Sequence, residues 1–399
     1  LPNLIHTEGS LPLWAPGLRR RQPGTNGNFP LTRQGSTSTT MEHSANSGPS
    51  LRILTRSDLA DIELPPEQVI RAVEDGYLAL ESGASRCPTK MMIDLPVESR
   101  DSIAFSMLGF DAARDLVGYK TSYRKGSDNR DQYYTTITLY DDESGLPYTL
   151  MDCQKVGASR TPAATALIAR ECARADATSV TMLGTGLQST NTLAYLLTVL
   201  PNLQNLRLHG THREGIKDTL SILRRWFPDR SVELIGNARS LVNTSSESNS
   251  AAVTSARDII TPDADAVREA VSTSDITVVA SGRAWHPKIH TSWIPEGGLL
   301  ISVASKGVAD GAVAEADRVI ATSQGQFDLV GQRLLQGRDV QLDATLPSIL
   351  AGQIPGRTSD SERIFAFCSG MIITDIPVAH ELAVRAFSAG RGSEVGLWS

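Results

Sequence analysis

The chain has 399 residues, which suits two domains, and its 40% hydrophobic and 21% charged residues are ordinary for a soluble globular protein. Its 38 Lys and Arg against 44 Asp and Glu give a net charge of −6 without a dense basic block, which argues against binding to nucleic-acid phosphates. The sequence contains no run of about 18 apolar residues, so no membrane span is predicted. The four cysteines form no CxxC pair, which argues against a disulfide framework and a zinc site. We therefore predict a cytoplasmic protein.

The first fifty residues differ from the rest of the chain. They are rich in Pro, Gly, Ser, Thr and Asn without apolar periodicity, so residues 1–50 are predicted to be disordered. Four arginines and a single acid within the first 41 residues are also typical of an organellar transit peptide, although no amphipathic helix accompanies them. Because the chain starts at Leu1 and its first methionine is Met41, a cloning-derived or upstream translated segment is the preferred interpretation. Organellar import is the alternative.

An α+β unit is predicted over residues 51–177. Pro65 and Pro66 suit the first turn of a helix whose apolar residues continue to Leu80, and Gly83 can end it. Short β-rich stretches follow, and then a second helix. The strands are predicted at Ile103–Leu108, Leu116–Tyr123, Tyr133–Tyr140 and Leu146–Met151, and the second helix at Thr161–Ala175.

From residue 178 to 334, apolar strands alternate with helices, which predicts an α/β fold with a doubly wound parallel sheet of the Rossmann type. The stretches Ile276–Ala280 and Leu299–Ala304 are wholly apolar, as in strands buried on both faces. The Ser- and Asn-rich stretch Asn237–Ala256 is predicted to be an exposed insertion, and the last seventy residues to return to helices. Further strands are predicted at Val180–Leu183, Leu206–His209, Ser231–Ile235 and Val319–Ala321, and helices at Asn191–Leu200 and Gly215–Trp226.

The most specific motif is the turn Gly184–Ser189, which lies between a predicted strand and a predicted helix, the context that dinucleotide binding requires. Gly184 permits a tight turn, and Gly186 lets the backbone approach a pyrophosphate at the helix N-terminus. Ser189 stands where a third small residue allows close packing of helix and strand. A glycine turn without a ligand is the alternative.

The end of the second strand indicates which dinucleotide binds. An acid there would bind the ribose 2′-hydroxyl of NAD, whereas a basic residue accommodates the 2′-phosphate of NADP. The turn has no acid, and Thr211, His212 and Arg213 can face a phosphate. NADP(H) is therefore favoured, with NAD(H) possible; Arg213 as a solvated residue beside Glu214 is the alternative. The predicted cofactor contacts are Gly184, Thr185, Gly186, Leu187, Gln188, Ser189, Thr211, Arg213, Ala280, Ser281, Ala304 and Ser369.

Several motifs follow one another in a specific order. They are Gly118–Thr121 (GYKT), Gly157–Ala164 (GASRTPAA), the turn Gly184–Ser189, Phe367–Met371 (FCSGM) and Asp375. On these motifs, the chain from Leu51 to Gly392 resembles the ornithine cyclodeaminase/mu-crystallin family. The resemblance implies a Rossmann domain at 178–334 and a substrate-binding and dimerisation domain at 51–177, to which residues 335–395 return. It also implies a homodimer joined through the sheets of the substrate domains.

Enzymes of this family act on α-amino or α-imino acids with a nicotinamide cofactor. Arg160 can offer a substrate carboxylate a planar, bidentate donor. The family's lysine corresponds to Lys120, which can contact the carboxylate or exchange a proton with the substrate nitrogen. The alternatives are that Arg160 is an ordinary charged residue near a helix start and that Lys120 is a solvated residue on an edge strand. We predict an NAD(P)-dependent oxidoreductase, either an imine reductase or an amino-acid dehydrogenase, with hydride transfer between nicotinamide and the substrate Cα.

Two positions depart from the family. Cyclodeaminases have an aspartate after the strand that corresponds to Leu299–Ala304, whereas this chain has Lys306 there, which would repel the second ammonium group of ornithine. Lys90 replaces an expected carboxylate-binding arginine. Lys90 and Lys306 are predicted to bind substrate together with Lys120 and Arg160, and they suggest a substrate with a second carboxylate.

Two other functions, and a metal site, have less support in the sequence than the oxidoreductase. A cyclodeaminase-type lyase is disfavoured by the missing acid, and a mu-crystallin-like protein that binds a small ligand is disfavoured by retention of Lys120 and Arg160. His286 and His290 have Pro287 between them and no acid to complete a ligand set, so no metal is predicted. Asp375 is left with three possible roles: a helix cap, a core salt bridge or a cofactor contact.

Overall fold

A computed structural model describes residues 48–95, 102–125, 133–243, 262–282, 287–303 and 305–398. The predicted disorder of residues 1–50, with its arginine-rich part, lies almost entirely outside the described residues. None of the described helices is long and apolar enough to cross a membrane.

The described residues form two sheets with helices packed around them. The strands are β1 (Leu51–Leu54), β2 (Met91–Asp94), β3 (Ile103–Asp111), β4 (Leu116–Arg124), β5 (Tyr133–Asp141), β6 (Leu146–Asp152), β7 (Ser179–Leu183), β8 (Asn205–His209), β9 (Glu233–Leu234), β10 (Ile276–Val279), β11 (Leu299–Val303), β12 (Arg318–Ala321), β13 (Ala344–Thr345), β14 (Ile364–Cys368) and β15 (Ser393–Val395). The helices are α1 (Arg56–Leu59), α2 (Pro66–Glu81), α3 (Gln154–Cys172), α4 (Thr192–Val199), α5 (Arg213–Trp226), α6 (Ala238–Asn243), α7 (Ala264–Ser272), α8 (Gln324–Val330), α9 (Leu346–Leu350) and α10 (Ile372–Ser388).

The first sheet has seven strands in the order β15-β1-β6-β5-β4-β3-β2, and all its pairs are antiparallel except β1 with β6. The strands from β3 to β6 confirm the four predicted β-rich stretches. Side chains alternate along β4, so that Leu116, Gly118, Lys120 and Ser122 are buried. Helices α2 and α10 pack against each other, and α10 covers β3 and β4.

The second sheet has eight parallel strands in the order β13-β12-β14-β11-β10-β7-β8-β9. From β7 the chain moves outward through β8 to β9, and then crosses back to β10 and β11 on the other side of β7. The order in which strands are added to the sheet therefore reverses between β7 and β10, which confirms the predicted doubly wound fold. Neighbouring carboxyl ends at such a point form the crevice where ligands bind.

The segment 335–395 contributes to both sheets. Its strands β13 and β14 belong to the parallel sheet, and β15 pairs with β1 in the other. The prediction that the last seventy residues return to helices is therefore wrong in part. The five residues of β14 are fully buried between β11 and β12, and a run this short has no helical or alternating period to identify it. The proposed domain boundaries stay a prediction.

Helix α3 lies between the two groups of elements, since it contacts α2 and α10 as well as α4, β11 and β14. It begins at Gln154, seven residues before the predicted start, so Pro162 lies inside the helix. Proline has no N–H, which leaves the carbonyl of Ala158 without its usual helical donor. The side-chain amide of Asn191 donates to that carbonyl at 2.9 Å, and the early start of α3 is compatible with its proline for this reason.

The predicted insertion at Asn237–Ala256 is wrong in its first part. Helix α6 occupies Ala238–Asn243, and the side chains of Ala238 and Leu241 are buried. Residues 244–256 lie outside the described residues.

A close contact between α2 and α10 yields a testable prediction. A Cβ at Gly76 would lie 2.6 Å from the backbone oxygen of Ile373, a carbonyl whose helical donor is removed by Pro377. We expect Gly76→Ala to lower the free energy of unfolding by about 1–3 kcal/mol, because backbone atoms have to move. Urea unfolding measures it. A Cβ at Gly157 in α3 meets nothing within 4 Å, so the control Gly157→Ala should not destabilise; equal midpoints for the two variants would contradict the packing.

Candidate active site

A single buried carboxylate joins two cationic side chains from different elements. Asp375 on α10 has a side chain with no exposed surface, and its Oδ1 accepts hydrogen bonds from Lys120 Nζ at 2.8 Å and from Arg160 Nε at 3.1 Å. Lys120 comes from β4 and Arg160 from α3, and both are buried. The sequence singled out all three residues, but it assigned no partner to Asp375.

Two glycines allow α10 to come this close to the sheet. A Cβ at Gly109 would lie 2.5 Å from the side chain of Ile372, and a Cβ at Gly118 would lie 2.5 Å from that of Ile376. Both glycines therefore face the first turns of α10, where any larger residue would push the helix away. Sequence analysis missed the role of Gly109, although an isolated glycine within a strand pattern signals a close backbone approach.

The arginine of this cluster lies against the loop that follows β14. A Cβ at Gly370 would lie 2.5 Å from one terminal nitrogen of Arg160 and 2.7 Å from the other, so a larger residue there would displace the guanidinium from its present position. The preceding residue, Ser369, is buried; its N–H donates to the Thr322 hydroxyl at 3.0 Å, and that hydroxyl donates to the Ser369 carbonyl at 2.9 Å. The loop therefore connects the carboxyl edge of the parallel sheet to the Lys120–Arg160–Asp375 cluster.

A third cation lies near this cluster. Burial, together with the charges of Arg160 and Lys120, lowers the pKa of Lys90 to about 8. Burial is the largest single influence on the pKa of Lys120 and acts to lower it, but the charge and the hydrogen bond of Asp375 are the main opposing influence and the net pKa is raised. The pKa of Arg160 is raised in the same way, against its burial, mainly by Asp375. Three cations and one carboxylate give the site a positive balance that suits an anionic ligand.

The glycine turn lies where the strand order of the parallel sheet reverses, between β7 and β10. Gly184 has φ of 113°, and a Cβ on it would lie 2.6 Å from the carbonyl oxygen of Ala280, the residue after β10. Ser189 is buried, and its hydroxyl donates to the Gly186 carbonyl at 2.8 Å. Leu187 and Gln188 are exposed on the turn. Helix α4 starts at Thr192, so the turn is one residue longer than predicted.

Two buried hydroxyls at this edge fit a nicotinamide dinucleotide. Thr185 Oγ1 and Ser281 Oγ have no hydrogen-bond partner among the described residues. Such hydroxyls can donate to phosphate or sugar oxygens, and the tight glycine turn lets the backbone approach them. Ala280 and Ser281 follow β10, while Ala304 lies outside the described residues.

The role of Thr211 and Arg213 as cofactor contacts stays a prediction. Thr211 and Arg213 are partly buried at the start of α5, and no acid lies between β8 and that helix. His209 at the strand end is fully buried, and this burial lowers its pKa.

The predicted substrate residue Lys306 lies on the loop after β11, and its backbone carbonyl accepts a hydrogen bond from Lys288 Nζ at 2.6 Å. Its role as a substrate residue stays a prediction. Asp310, further along the same loop, is exposed.

Sequence analysis missed Asn191, whose side-chain amide connects the glycine turn to α3, the helix of Arg160. The signal in the sequence was a proline within the helical pattern of α3, which leaves one carbonyl without a helical donor, together with an asparagine just after the glycine turn.

Known proteins share this architecture. An archaeal alanine dehydrogenase, described as a dimer with bound NAD, superposes with a TM-score of 0.68 at 18% identity over 88% of this chain and 100% of its own. The Δ1-pyrroline-2-carboxylate reductase of Thermococcus litoralis, in complex with NADH and L-proline, has a TM-score of 0.68 at 21% identity, covering 86% and 100%. These likenesses show the fold.

Sequence comparison supports the same family resemblance. The nodulation efficiency protein NfeD of Rhizobium meliloti is 24% identical over 356 residues, which cover 86% of this chain and 98% of that protein. Residues 53–246 match the family model described as ornithine cyclodeaminase/mu-crystallin. The resemblance expected from the motifs is confirmed over residues 53–246, where the chain matches the ornithine cyclodeaminase/mu-crystallin family model.

Proposed function

We propose that this protein is a nicotinamide-dependent oxidoreductase that interconverts an α-amino acid and its α-imino acid. The observation that carries this proposal is the convergence of Lys120 and Arg160 on the buried carboxylate of Asp375, beside the loop that leads from the carboxyl edge of the Rossmann-type sheet. Reductases and dehydrogenases of this substrate class have the same fold.

The residues of the cluster suit this reaction. The Nε of Arg160 is held by Asp375, so its two terminal nitrogens, which lie against Gly370, can donate in parallel to a substrate carboxylate. Lys120 is held in its protonated form, and it can donate a proton to the imine nitrogen. When bound, a reduced nicotinamide supplies the hydride that Cα receives. One hydride and one proton convert C=N to CH–NH, and the reverse reaction returns both.

Three observations support the cofactor part of the proposal. Three features lie at the same edge of the parallel sheet: the glycine turn, the reversal of the strand order, and the hydroxyls of Thr185 and Ser281, which have no partner among the described residues. The relative from Thermococcus litoralis is complexed with NADH, which supports a nicotinamide dinucleotide in general. We propose NADP(H) as the preferred form, because the β8 turn offers Thr211 and Arg213 and no acid.

We propose further that the substrate has a second carboxylate. Lys90, Lys120 and Arg160 oppose only Asp375 within the described cluster, so one substrate carboxylate leaves positive charge uncompensated. A lysine at position 90 can hold a second carboxylate as a point charge, without the planar fork of an arginine. Lys306 is assigned to the same ligand as a prediction.

The first experiment is an absorbance assay at about 340 nm, the nicotinamide band, with amino mono- and dicarboxylic acids and the matching imines, using both cofactors. We expect Lys120→Met to lower turnover at least about 100-fold while cofactor binding is retained, because the proton donor is lost. The control is Lys155→Met, which removes another partly buried lysine whose Nζ donates to the carbonyls of Leu59 and Ala60. Unchanged turnover in Lys120→Met would contradict the assigned role. Ammonia release from diamino acids without net redox would favour the lyase instead.

The cofactor preference is tested at Arg213. We expect Arg213→Ala to raise the KM for NADPH about tenfold or more, with little effect on NADH, because one charge-assisted contact to the 2′-phosphate is lost. Steady-state kinetics with each cofactor measure this. Lys217→Ala removes an exposed cation from the same helix and should change neither value. An equal effect of Arg213→Ala on both cofactors would contradict the assignment.

We also propose a homodimer that forms through the outer face of the seven-stranded sheet. Seven of the twelve large, exposed hydrophobic side chains among the described residues lie on β2–β5. Tyr119 lies beside Leu108, and Tyr123 beside Tyr134, in the strand register. An apolar patch this continuous is typical of an interface, and the resemblance implies one at this sheet. Six of the seven share this outer face, namely Met91, Ile93, Leu108, Tyr119, Tyr123 and Tyr134, whereas Tyr133 is adjacent to Tyr134 in β5 and so points to the other face.

Light scattering after size exclusion tests the dimer. We expect wild-type protein to have twice the mass of one chain, and Tyr134→Asp combined with Tyr119→Asp to give the mass of one chain, because buried unpaired charges oppose association. The control Leu329→Asp places a charge on an exposed apolar residue of α8 and should leave the dimer intact. A monomeric wild type, or a double variant that stays dimeric, would contradict this interface.

A further inference from the structure

Among the described residues, the carboxylate of Asp375 accepts hydrogen bonds from the two cations of the candidate site and from no other group. Its Oδ1 accepts from both Lys120 and Arg160, while Oδ2 is buried and has no hydrogen-bond partner among the described residues. A buried carboxylate oxygen without a hydrogen-bond partner costs free energy. If Asp375 served only to hold α10 against the core, both of its oxygens would be expected to have partners. Within the described part of the chain, its side-chain hydrogen bonds are instead made with Lys120 and Arg160.

The position of Asp375 is fixed independently of these two contacts. Gly109 and Gly118 let α10 lie close on β3 and β4, with Ile372 and Ile376 packed against them on either side of Asp375 along the helix. The carboxylate is therefore presented from a packed helix, and the long, flexible side chains of Lys120 and Arg160 adjust to it.

We propose that Asp375 is a positioning residue for the reaction: it keeps Lys120 protonated as the proton donor, and it orients the Arg160 guanidinium so that its terminal nitrogens face the substrate carboxylate. This inference rests on the proposed function of the site. It adds the reason why a lysine among two other cations retains its proton at neutral pH.

The charges around Lys120 make the consequence of removing Asp375 predictable. Arg160 on α3 and Lys90, before β2, are cations near Lys120, and Cys153 at the start of α3 and Tyr77 on α2 are the neutral titratable groups of the cluster; Cys87 and Cys368 lie near Asp375 and Arg160 respectively. Burial raises the pKa of Cys153 to about 11, so this thiol cannot replace the carboxylate at neutral pH. Without Asp375, burial and two cations all act to lower the pKa of Lys120.

The test compares Asp375→Asn, which keeps the shape, with Asp375→Glu, which keeps the charge. Imine reduction requires protonated Lys120, so its rate falls as pH rises through the pKa of Lys120; amine oxidation requires the neutral form and rises there. We expect Asp375→Asn to move both limbs to lower pH by roughly 1–3 units. Asp375→Glu should keep the limbs near their wild-type pH but lower kcat and raise the KM for the substrate, because the longer side chain displaces both partners.

A second measurement does not depend on turnover. Calorimetric titration with oxalate, a probe for the carboxylate site, gives an affinity that falls as Lys120 loses its proton. We expect this fall at lower pH in Asp375→Asn than in wild type, while any step due to Lys90 occurs in both proteins. If wild-type protein shows this oxalate behaviour but turns over no amino or imino acid, the proposed function fails and the positioning role stands.

The inference is overturned if Asp375→Asn keeps the wild-type pH dependence of both rate and oxalate binding, even when its thermal stability is lower, since that result describes a purely structural residue. It is also overturned if Asp375→Glu has wild-type kcat and KM. The Glu variant decides alone where the Asn variant does not fold, because it retains the buried charge balance.

Discussion

The burial of one carboxylate between two cations is the constraint around which this molecule is arranged. A charge removed from water is tolerated only when it is paired at close range, and removing either partner would leave an uncompensated charge. Asp375, Lys120 and Arg160 belong to a helix, a strand of the first sheet and a second helix. These elements must therefore meet at one point, and the glycines at 109, 118 and 370 remove the side chains that would keep them apart.

Prolines inside two helices connect this point to its surroundings. Each removes one helical hydrogen bond and frees a carbonyl four residues earlier. In α3 the freed carbonyl of Ala158 is bonded by Asn191, which follows the glycine turn, so the helix that carries Arg160 is joined to the predicted cofactor turn. In α10 the freed carbonyl of Ile373 faces Gly76 of α2 at close range. Residues that look unfavourable for a helix thus define how the helices pack.

Charge sets the chemistry that the site can perform. Three cations and one carboxylate attract an anion, and the one carboxylate determines which cation keeps its proton most firmly. Lys120 lies in contact with Asp375 and its pKa is raised, whereas Lys90 has the cations as neighbours and its pKa is lowered to about 8. Two lysines a short distance apart are therefore given different properties by their neighbours, which is how proton donors and ligand-binding cations become distinct within one pocket.

The sequence by itself determined most of the local elements, the alternation that predicts a doubly wound sheet, the family resemblance, and most of the residues that meet in the candidate site. These properties depend on short-range periodicity, on glycine and proline positions and on motif order. It misplaced the start of α3, because the Ala158 carbonyl that Pro162 leaves without a helical donor is bonded by Asn191, 33 residues after Ala158. It also missed β14 and the helix α6, whose runs are too short to show a period.

Only the tertiary structure decided the partners of Asp375 and the charge balance around Lys90. Lys120 and Asp375 are separated by 255 residues, and Arg160 and Asp375 by 215. No local pattern encodes such a contact, since which oxygen meets which nitrogen depends on how closely α10 approaches the sheet. A pKa likewise depends on burial and on charges brought together by the fold, so the sequence names the ionisable residues and the packing sets their protonation.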